Sequence, residues 1–284
     1  MRHKSFAVFI LSHGRANNVV SVNTLKKSGY TGKYYIVCDN EDKQLDEYKR
    51  IYGDKVLVFD KLKKSKEFDT MDNFDDRRTV VYARNASLDF ARQLGLKYYL
   101  EFDDDYTQIA LKYTEDGKLK SKLIKDADAL FDYVLDFLDK SDALTVALAQ
   151  GGDFIGGADN GNLEKGLGRK AMNSFFTKTE NNLQFIGRVN EDVNTYTSLG
   201  QKGEKLFTIY KAVIEQQTTQ KNKGGMTEQY LDAGTYIKSF YSVICSPSCV
   251  KVAIMNSRHP RIHHKVFWNR CCPKIINEEY KKYE

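Results

Sequence analysis

The run Tyr98-Tyr99-Leu100-Glu101-Phe102-Asp103-Asp104-Asp105 ends an apolar segment on three adjacent carboxylates. Carboxylate oxygens at a strand end suit a hard divalent cation such as Mg²⁺ or Mn²⁺. On an extended chain alternate side chains point the same way, so Asp103 and Asp105 can share one ion. Three like charges in a row repel unless a cation or a set of donors compensates. Acidic turns and helix caps supply such triplets too. What singles this one out is its place at the end of an apolar strand.

Three further clusters carry chemistry. In Tyr82-Ala83-Arg84-Asn85-Ala86, small residues let a helix lie close to a sheet, and the Arg84 fork is suited to a diphosphate. A lone helical arginine is more often exposed and solvated. In Asn190-Glu191-Asp192-Val193 two carboxylates stand together, preceded by Arg188. Glu191 and Asp192 are the candidate catalytic carboxylates, with Asp192 as general base. Acids at a helix start are also favoured by the helix dipole, and both roles are compatible. In Arg261-Ile262-His263-His264 a neutral imidazole would complete a metal site begun by the aspartates. A packed or surface histidine pair is the plainer reading.

The elements that must position these residues alternate over the first hundred positions. Apolar strands are expected at Phe6–Leu11, Tyr34–Val37, Val56–Phe59 and Tyr98–Phe102. Helices are expected at Val19–Lys27, capped near Asn17 or Asn18, at Leu45–Tyr52 and at Thr79–Leu94, with Gly95 at its end. Repeated strand–helix–strand units imply a mostly parallel sheet with right-handed crossovers, and ligands then sit at the carboxyl ends of the strands. Those ends carry Ser12, His13 and Arg15, then Asp39, then the aspartates. Later, Gln108–Tyr113 and Lys120–Ile124 flank the hairpin signal Asp116-Gly117. Asp126–Leu138 reads as an amphipathic helix and Leu144–Ala149 as a strand. The glycine-rich stretch Gly151 to Gly168 reads as a mobile loop over a ligand, and a helix is expected after Thr227. With three prolines and no repeat, residues 1–284 read as one continuous α/β domain.

The 284 residues, 41% apolar and 29% charged, exclude a disordered or collagenous chain. No apolar run approaches the ~18–20 residues of a membrane span, and the N-terminal apolar run is too short for a signal peptide. A soluble, cytoplasmic protein follows as the expectation. Five scattered cysteines without zinc spacing read as reduced thiols. Net charge is +6, and residues 201–284 hold 14 Lys and Arg against 7 Asp and Glu. That basic third suits a polyanion. A solvated lysine-rich surface explains the count equally well.

In order and context these residues resemble a glycosyltransferase of the GT-A fold. More closely the chain resembles the TET/J-binding-protein-associated glycosyltransferases, often encoded by bacteriophages. The resembling segments are Ile10 to Arg15, Val80 to Asp105, Gly151 to Gly157, Arg188 to Tyr196, Gly224 to Thr227 and Arg261 to Trp268. The resemblance implies a Rossmann-like mixed sheet flanked by helices, with 1–105 as the nucleotide-sugar-binding half and 106–284 as the acceptor-side half. It implies that Ser12, His13, Arg15, Asp39, Arg84 and Asp104 hold a UDP-sugar, and that Mn²⁺ or Mg²⁺ is held by Asp103, Asp105 and one of His263 and His264, with His263 the candidate. It further implies a hydroxymethylated pyrimidine in DNA as acceptor, met by residues such as Arg258, Arg261, Lys265 and Arg270, in the cytoplasm of a phage host. Asp192 is the base if the reaction inverts at the anomeric carbon; retention would ask another role of it.

Two other functions fit parts of the pattern. A nucleotidyltransferase uses a similar acidic sheet edge, but a G-x-G loop would follow its first strand and here only Gly14 does. A non-catalytic nucleic-acid-binding module would keep the basic third and make the acids structural.

Overall fold

The computed structural model describes residues 1–72, 74–216, 232, 234, 236–255 and 260–272. Strand β1, Phe6–Leu11, is buried along its whole length. Its side chains alternate between two cores. Phe6, Val8 and Ile10 face one, and Ala7, Phe9 and Leu11 the other. A strand apolar on both faces must be covered on both, so the molecule builds helix–sheet–helix layers. The first core is closed by α1 (Val20–Lys27), α2 (Leu45–Tyr52) and α5 (Ala127–Ser141). The second is closed by α4 (Val81–Gln93) and α7 (Glu191–Gln201).

The remaining strands of the first half are β2 (Lys33–Asp39), β3 (Val56–Phe59) and β4 (Tyr98–Asp103). After the short helix α3 (Lys61–Lys64) and α4, β4 returns to the far side of β1. The order β3-β2-β1-β4 is parallel throughout. The second half adds β5 (Tyr106–Glu115), β6 (Lys118–Leu123), β7 (Thr145–Gln150), β8 (Leu167–Gly168), β9 (Phe175–Lys178) and β10 (Leu206–Gln216). The sheet continues β4-β9-β7-β10-β5-β6, with β8 on β10. Strands β5, β8 and β9 run against the others, giving a mixed sheet of mostly parallel strands flanked by helices, as the sequence implies. One sheet thus joins both halves of the chain. A separate ribbon pairs β11 (Val250–Met255) with β12 (Arg261–Val266), beside helix α8 (Ile237–Cys245).

The expected elements of the first half are present with small shifts of their ends. Helix α1 carries no side-chain cap at Asn17 or Asn18; residues 16–18 form a 3-10 turn instead, and Val19 precedes the helix. The Asp116-Gly117 hairpin forms, both residues at positive φ as a tight two-residue turn requires. The stretch 151–168 differs from the expected loop. It folds into two 3-10 turns, the short helix α6 (Asn162–Lys165) and β8. Asn160 and Asn162 both donate to the Asp153 carbonyl, and Lys170 pairs with the Asp153 carboxylate. Gly224 to Thr227, the start of the helix expected after Thr227, and Arg258 lie outside the described residues. All five cysteines are free thiols. Among the described residues no helix is long and apolar enough to cross a membrane.

Gly29 shows how tightly the first half closes. It follows α1 at φ +79°, and a side chain there would run into the Lys125 carbonyl just before α5. The Ala127 amide meanwhile bonds the Ser28 carbonyl at 2.7 Å. Gly29→Ala is expected to cost about 2–4 kcal/mol. Denaturant titration against the parent protein checks this, and a change under 0.5 kcal/mol would contradict the packing described.

Candidate active site

In the order β3-β2-β1-β4 the chain reverses its direction of travel between β1 and β4. A crevice opens at the carboxyl ends of two such strands. Leu11 is in register with Asp103 and with Val37, so the loop after β1, the end of β2 and the aspartates of β4 stand side by side.

The loop after β1 is held by its neighbours. Ser12 Oγ lies 2.6 Å from both the Tyr48 hydroxyl and Asp104 Oδ2. Arg15 Nη1 donates to Asp104 Oδ1 at 2.6 Å, and its amide donates to Tyr48 at 2.9 Å. The Gly14 amide, at a positive-φ turn, reaches Asp42 Oδ2. His13 Nδ1 sits 2.7 Å from Asp39 Oδ2, which Lys61 Nζ approaches at 3.4 Å. Burial works to raise the Asp39 carboxyl, but His13 and Lys61 hold it below the usual carboxylate range. The Asp39 hydrogen bond in turn raises the His13 imidazole, against partial burial.

The three aspartates have three different environments. Asp103 ends β4, with its side chain 28% exposed and one oxygen 3.2 Å from Arg84 Nη2. Asp104 is buried, and both its oxygens are taken by Ser12 and Arg15. Asp105 receives no hydrogen bond or ion pair from another described residue. Burial, then the like charges of Asp103 and Asp104, push its carboxyl up to about 7. Asp104 and Asp105 form a turn between β4 and β5, and the two strands do not pair with each other. The extended alternation expected of Asp103 and Asp105 is therefore not what brings their charges together; the turn does.

Arg84 is neither exposed nor turned toward a ligand. It is 2% exposed, its Nε donates to Glu191 at 2.8 Å, and Nη1 and Nη2 reach Glu101 and Asp103 at 3.4 and 3.2 Å. The rings of Phe175 and Phe185 lie 4.9 and 5.6 Å from the guanidinium carbon. The diphosphate contact expected of Arg84 is thus replaced by three carboxylates, because α4 packs its basic side chain inward between β4 and α7.

Helix α7 starts at Glu191, after Asn190 in a left-handed conformation. Asn190 and Asn194 both bond Ser242 of α8. The Asp192 carboxyl accepts the Val193 amide, and burial, then the charge of Glu191, push it up to about 7. Lys238, on the first turn of α8, shares the field of Asp192 and Glu191. Just before α7, buried Arg188 pairs with Asp72 at 2.8 Å and Asp76 at 3.2 Å, and Tyr241 of α8 donates to Asp72. The segment before α4 is thereby tied to both later helices.

The late histidines lie beside the start of α7: His264 Nδ1 is 3.5 Å from the Asn190 side-chain amide, and both rings feel the charge of Lys238. Both imidazoles are pushed below their usual range, chiefly by burial, His264 to about 3, so both rings are neutral. His263 Nδ1 accepts the His264 amide at 2.8 Å, which leaves its proton on Nε2 and no lone pair there for a metal. Among the described residues no three His, Cys, Asp or Glu side chains gather as metal ligands. The set Asp103, Asp105 and His263 expected from the sequence is therefore not preassembled, and Asp103 and Asp105 remain as the carboxylate pair at the crevice.

Sequence reasoning missed Glu101, Asp42, Lys61, Tyr48 and the Asp72–Arg188–Tyr241 cluster. Glu101 left one signal: an acid inside an otherwise apolar strand, two positions before Asp103 and so on the same face. Asp42 stands three residues after Asp39 and Arg188 two before Asn190, whereas Tyr48, Lys61, Asp72 and Tyr241 sit far from any motif.

The sequence model of the TET-associated glycosyltransferase family matches residues 6–225. No curated protein sequence matches the chain. Similar solved structures include GalNAc-T7 with UDP, GalNAc and Mn²⁺, at 12% identity and a TM-score of 0.48 over 76% of this chain and 44% of that one. They also include glucosyl-3-phosphoglycerate synthase from Mycobacterium tuberculosis with Mg²⁺ and UDP, at 10% identity and 0.49 over 93% and 87%. S. aureus TarS 1-349 is similar at 10% identity and 0.41 over 84% and 65%.

The His13–Asp39 pair sets a measurable expectation. His13 should titrate above 6.5, because its charged form gains the Asp39 carboxylate. In Asp39→Asn it should fall back toward or below 6.5. NMR titration of the imidazole decides this, and an unchanged midpoint in the variant would show that the two side chains do not meet in solution.

Proposed function

The chain belongs to the TET-associated glycosyltransferases, and from that premise we propose that it moves a sugar from a UDP-sugar to the hydroxyl of a hydroxymethylated pyrimidine in DNA, a modification of the kind bacteriophages make. The observation that carries the reading is the crevice at the ends of β1, β2 and β4. It offers a half-buried Asp105 carboxyl, without an ion pair or hydrogen bond from another described residue, beside a partly exposed Asp103. Residues 1–105 would take the donor and 106–284 the acceptor.

These two carboxylates fit a divalent cation, since hard oxygen donors that repel one another are relieved by one. Asp103 and Asp105 would hold Mn²⁺ or Mg²⁺. When bound, the ion would neutralise charge on the departing nucleotide. Ser12, His13 and Arg15 line the nucleotide side, their positions fixed by Asp39, Asp104 and Tyr48. Asp104 acts there through Ser12 and Arg15, because both its oxygens are already occupied. On the other side of the crevice Asp192 takes the proton from the acceptor hydroxyl if the reaction inverts. A carboxyl near 7 is matched to that task at neutral pH.

For the acceptor, the support is the family and the basic residues of the last third. Arg261, Lys265 and Arg270 are exposed on or beside the β11–β12 ribbon, and Lys265 and Arg270 both lie over the Phe267 ring. Trp268 is stacked on Tyr196 at 5.2 Å, so it packs the fold rather than offering a surface to a base. A base within a duplex must leave the stack to reach a crevice of this kind.

The reading is tested by incubating the protein with UDP-sugars, Mn²⁺ and hydroxymethylated DNA, digesting to nucleosides and weighing them. A sugar-bearing pyrimidine nucleoside is expected, its yield falling steeply with salt as phosphate contacts release counterions. Salt-independent transfer to a free nucleoside with equal efficiency would overturn the DNA acceptor. Chelation with EDTA, Asp103→Asn or Asp105→Asn should each remove most activity while circular dichroism stays unchanged. Full turnover after exhaustive chelation would remove the metal from the scheme. The pH profile tests Asp192: kcat/KM should fall about tenfold per unit below about 7, where the base is protonated. Asp192→Asn should lower kcat by roughly 10²–10⁴-fold and abolish that limb.

A further inference from the structure

We propose that Arg84 is a positioning residue that sets the separation between the donor-side carboxylate Asp103 and the first turn of α7, which carries Asp192. The inference rests on the proposed function and adds to it a residue that touches neither substrate. Its basis is where the three carboxylates come from. Glu101 and Asp103 lie two apart on one face of β4, in the first half of the chain. Glu191 begins α7, in the second half and more than a hundred residues away in sequence from Arg84. The Arg84 fork meets one from each nitrogen, at 2.8, 3.4 and 3.2 Å. Phe175 and Phe185 flank the planar group.

A guanidinium so enclosed has no freedom to follow a ligand. It does fix its partners. One Asp103 oxygen is drawn inward at 3.2 Å, while the side chain stays 28% exposed toward the crevice. Glu191 is drawn inward at 2.8 Å, and Asp192 follows it directly on the same helical turn. A lysine would keep the charge but lose the fork, so it could not hold all three carboxylates in this geometry.

The test compares wild type with Arg84→Lys, singly and combined with Asp103→Asn or Asp192→Asn. Free Mn²⁺ is read by electron paramagnetic resonance, transfer by kcat and donor KM, and folding by thermal melting. Arg84→Lys should weaken Mn²⁺ binding about 10–100-fold, as loss of a residue orienting a metal ligand does. It should lower kcat by up to about 10²-fold. The first effect should vanish in the Asp103→Asn background and the second in the Asp192→Asn background, since coupled positions are not additive. A lowered melting temperature with Mn²⁺ affinity and kcat unchanged would overturn the proposal, as would full multiplicative losses in both backgrounds. If Arg84→Lys fails to fold, Glu191→Gln takes its place in the cycle with Asp192→Asn. That change leaves the buried cation and its Asp103 contact intact; a kcat loss that vanishes in the Asp192→Asn background supports the proposal, and an unchanged kcat overturns it. A wild type that binds Mn²⁺ but transfers no sugar would instead strike the proposed function, and the Mn²⁺ comparison would still decide for or against Arg84.

Discussion

Carboxylates crowded at the end of a strand that is buried on both faces repel one another where water screens little. Much of the site is the answer to that repulsion. Asp104 is met by Arg15 and Ser12, Asp103 by Arg84, and Asp39 by His13 and Lys61. Asp105 makes no ion pair or hydrogen bond with another described residue and feels Arg15 only at a distance. Its carboxyl is raised first by burial and then by the like charges of Asp103 and Asp104.

Buried ion pairs of this kind are weak evidence for stability, because desolvation offsets much of the attraction. Their value lies in geometry. Arg84 costs a buried charge and fixes three partners. Burial drives Glu101 up to about 8 against the pull of the Arg84 guanidinium. One Glu101 oxygen is buried with no hydrogen-bond partner among the described residues. The Arg188 cluster repeats the device at the start of α7. Asp72 and Asp76 come from the segment before α4 and Tyr241 from α8, so three distant pieces of chain meet on one guanidinium.

The two halves of the chain are therefore not separable parts. Strand β9 enters antiparallel between β4 and β7 and makes one sheet of both. Glu191 and Arg188 then stitch α7 to the elements beneath it. Groups of the first and second halves are held across this seam by charged contacts rather than by apolar packing alone.

The amino-acid order by itself determined the apolar strands, their helices and hence the parallel first half. Periodicity and strand length are local properties, and β1 to β4 obey them. It also determined that polar groups would cluster at the strand ends, because a doubly buried strand has nowhere else to carry them. That Ser12, His13, Arg15, Asp39 and the aspartates would stand together as strand-end polar groups was legible for that reason. What Arg84 does was not legible. A helical arginine looks the same whether it faces water, a diphosphate or a carboxylate 107 positions away. The glycine-rich stretch misled for a related reason: glycines permit either a loose loop or a tight excursion, and the Asn160, Asn162 and Lys170 contacts decided for the second. Nor could the late histidines be placed, since tautomer and ring direction follow from the partners the ribbon supplies. Local patterns are written in neighbouring residues, whereas the partner of a buried charge is chosen only when distant segments pack.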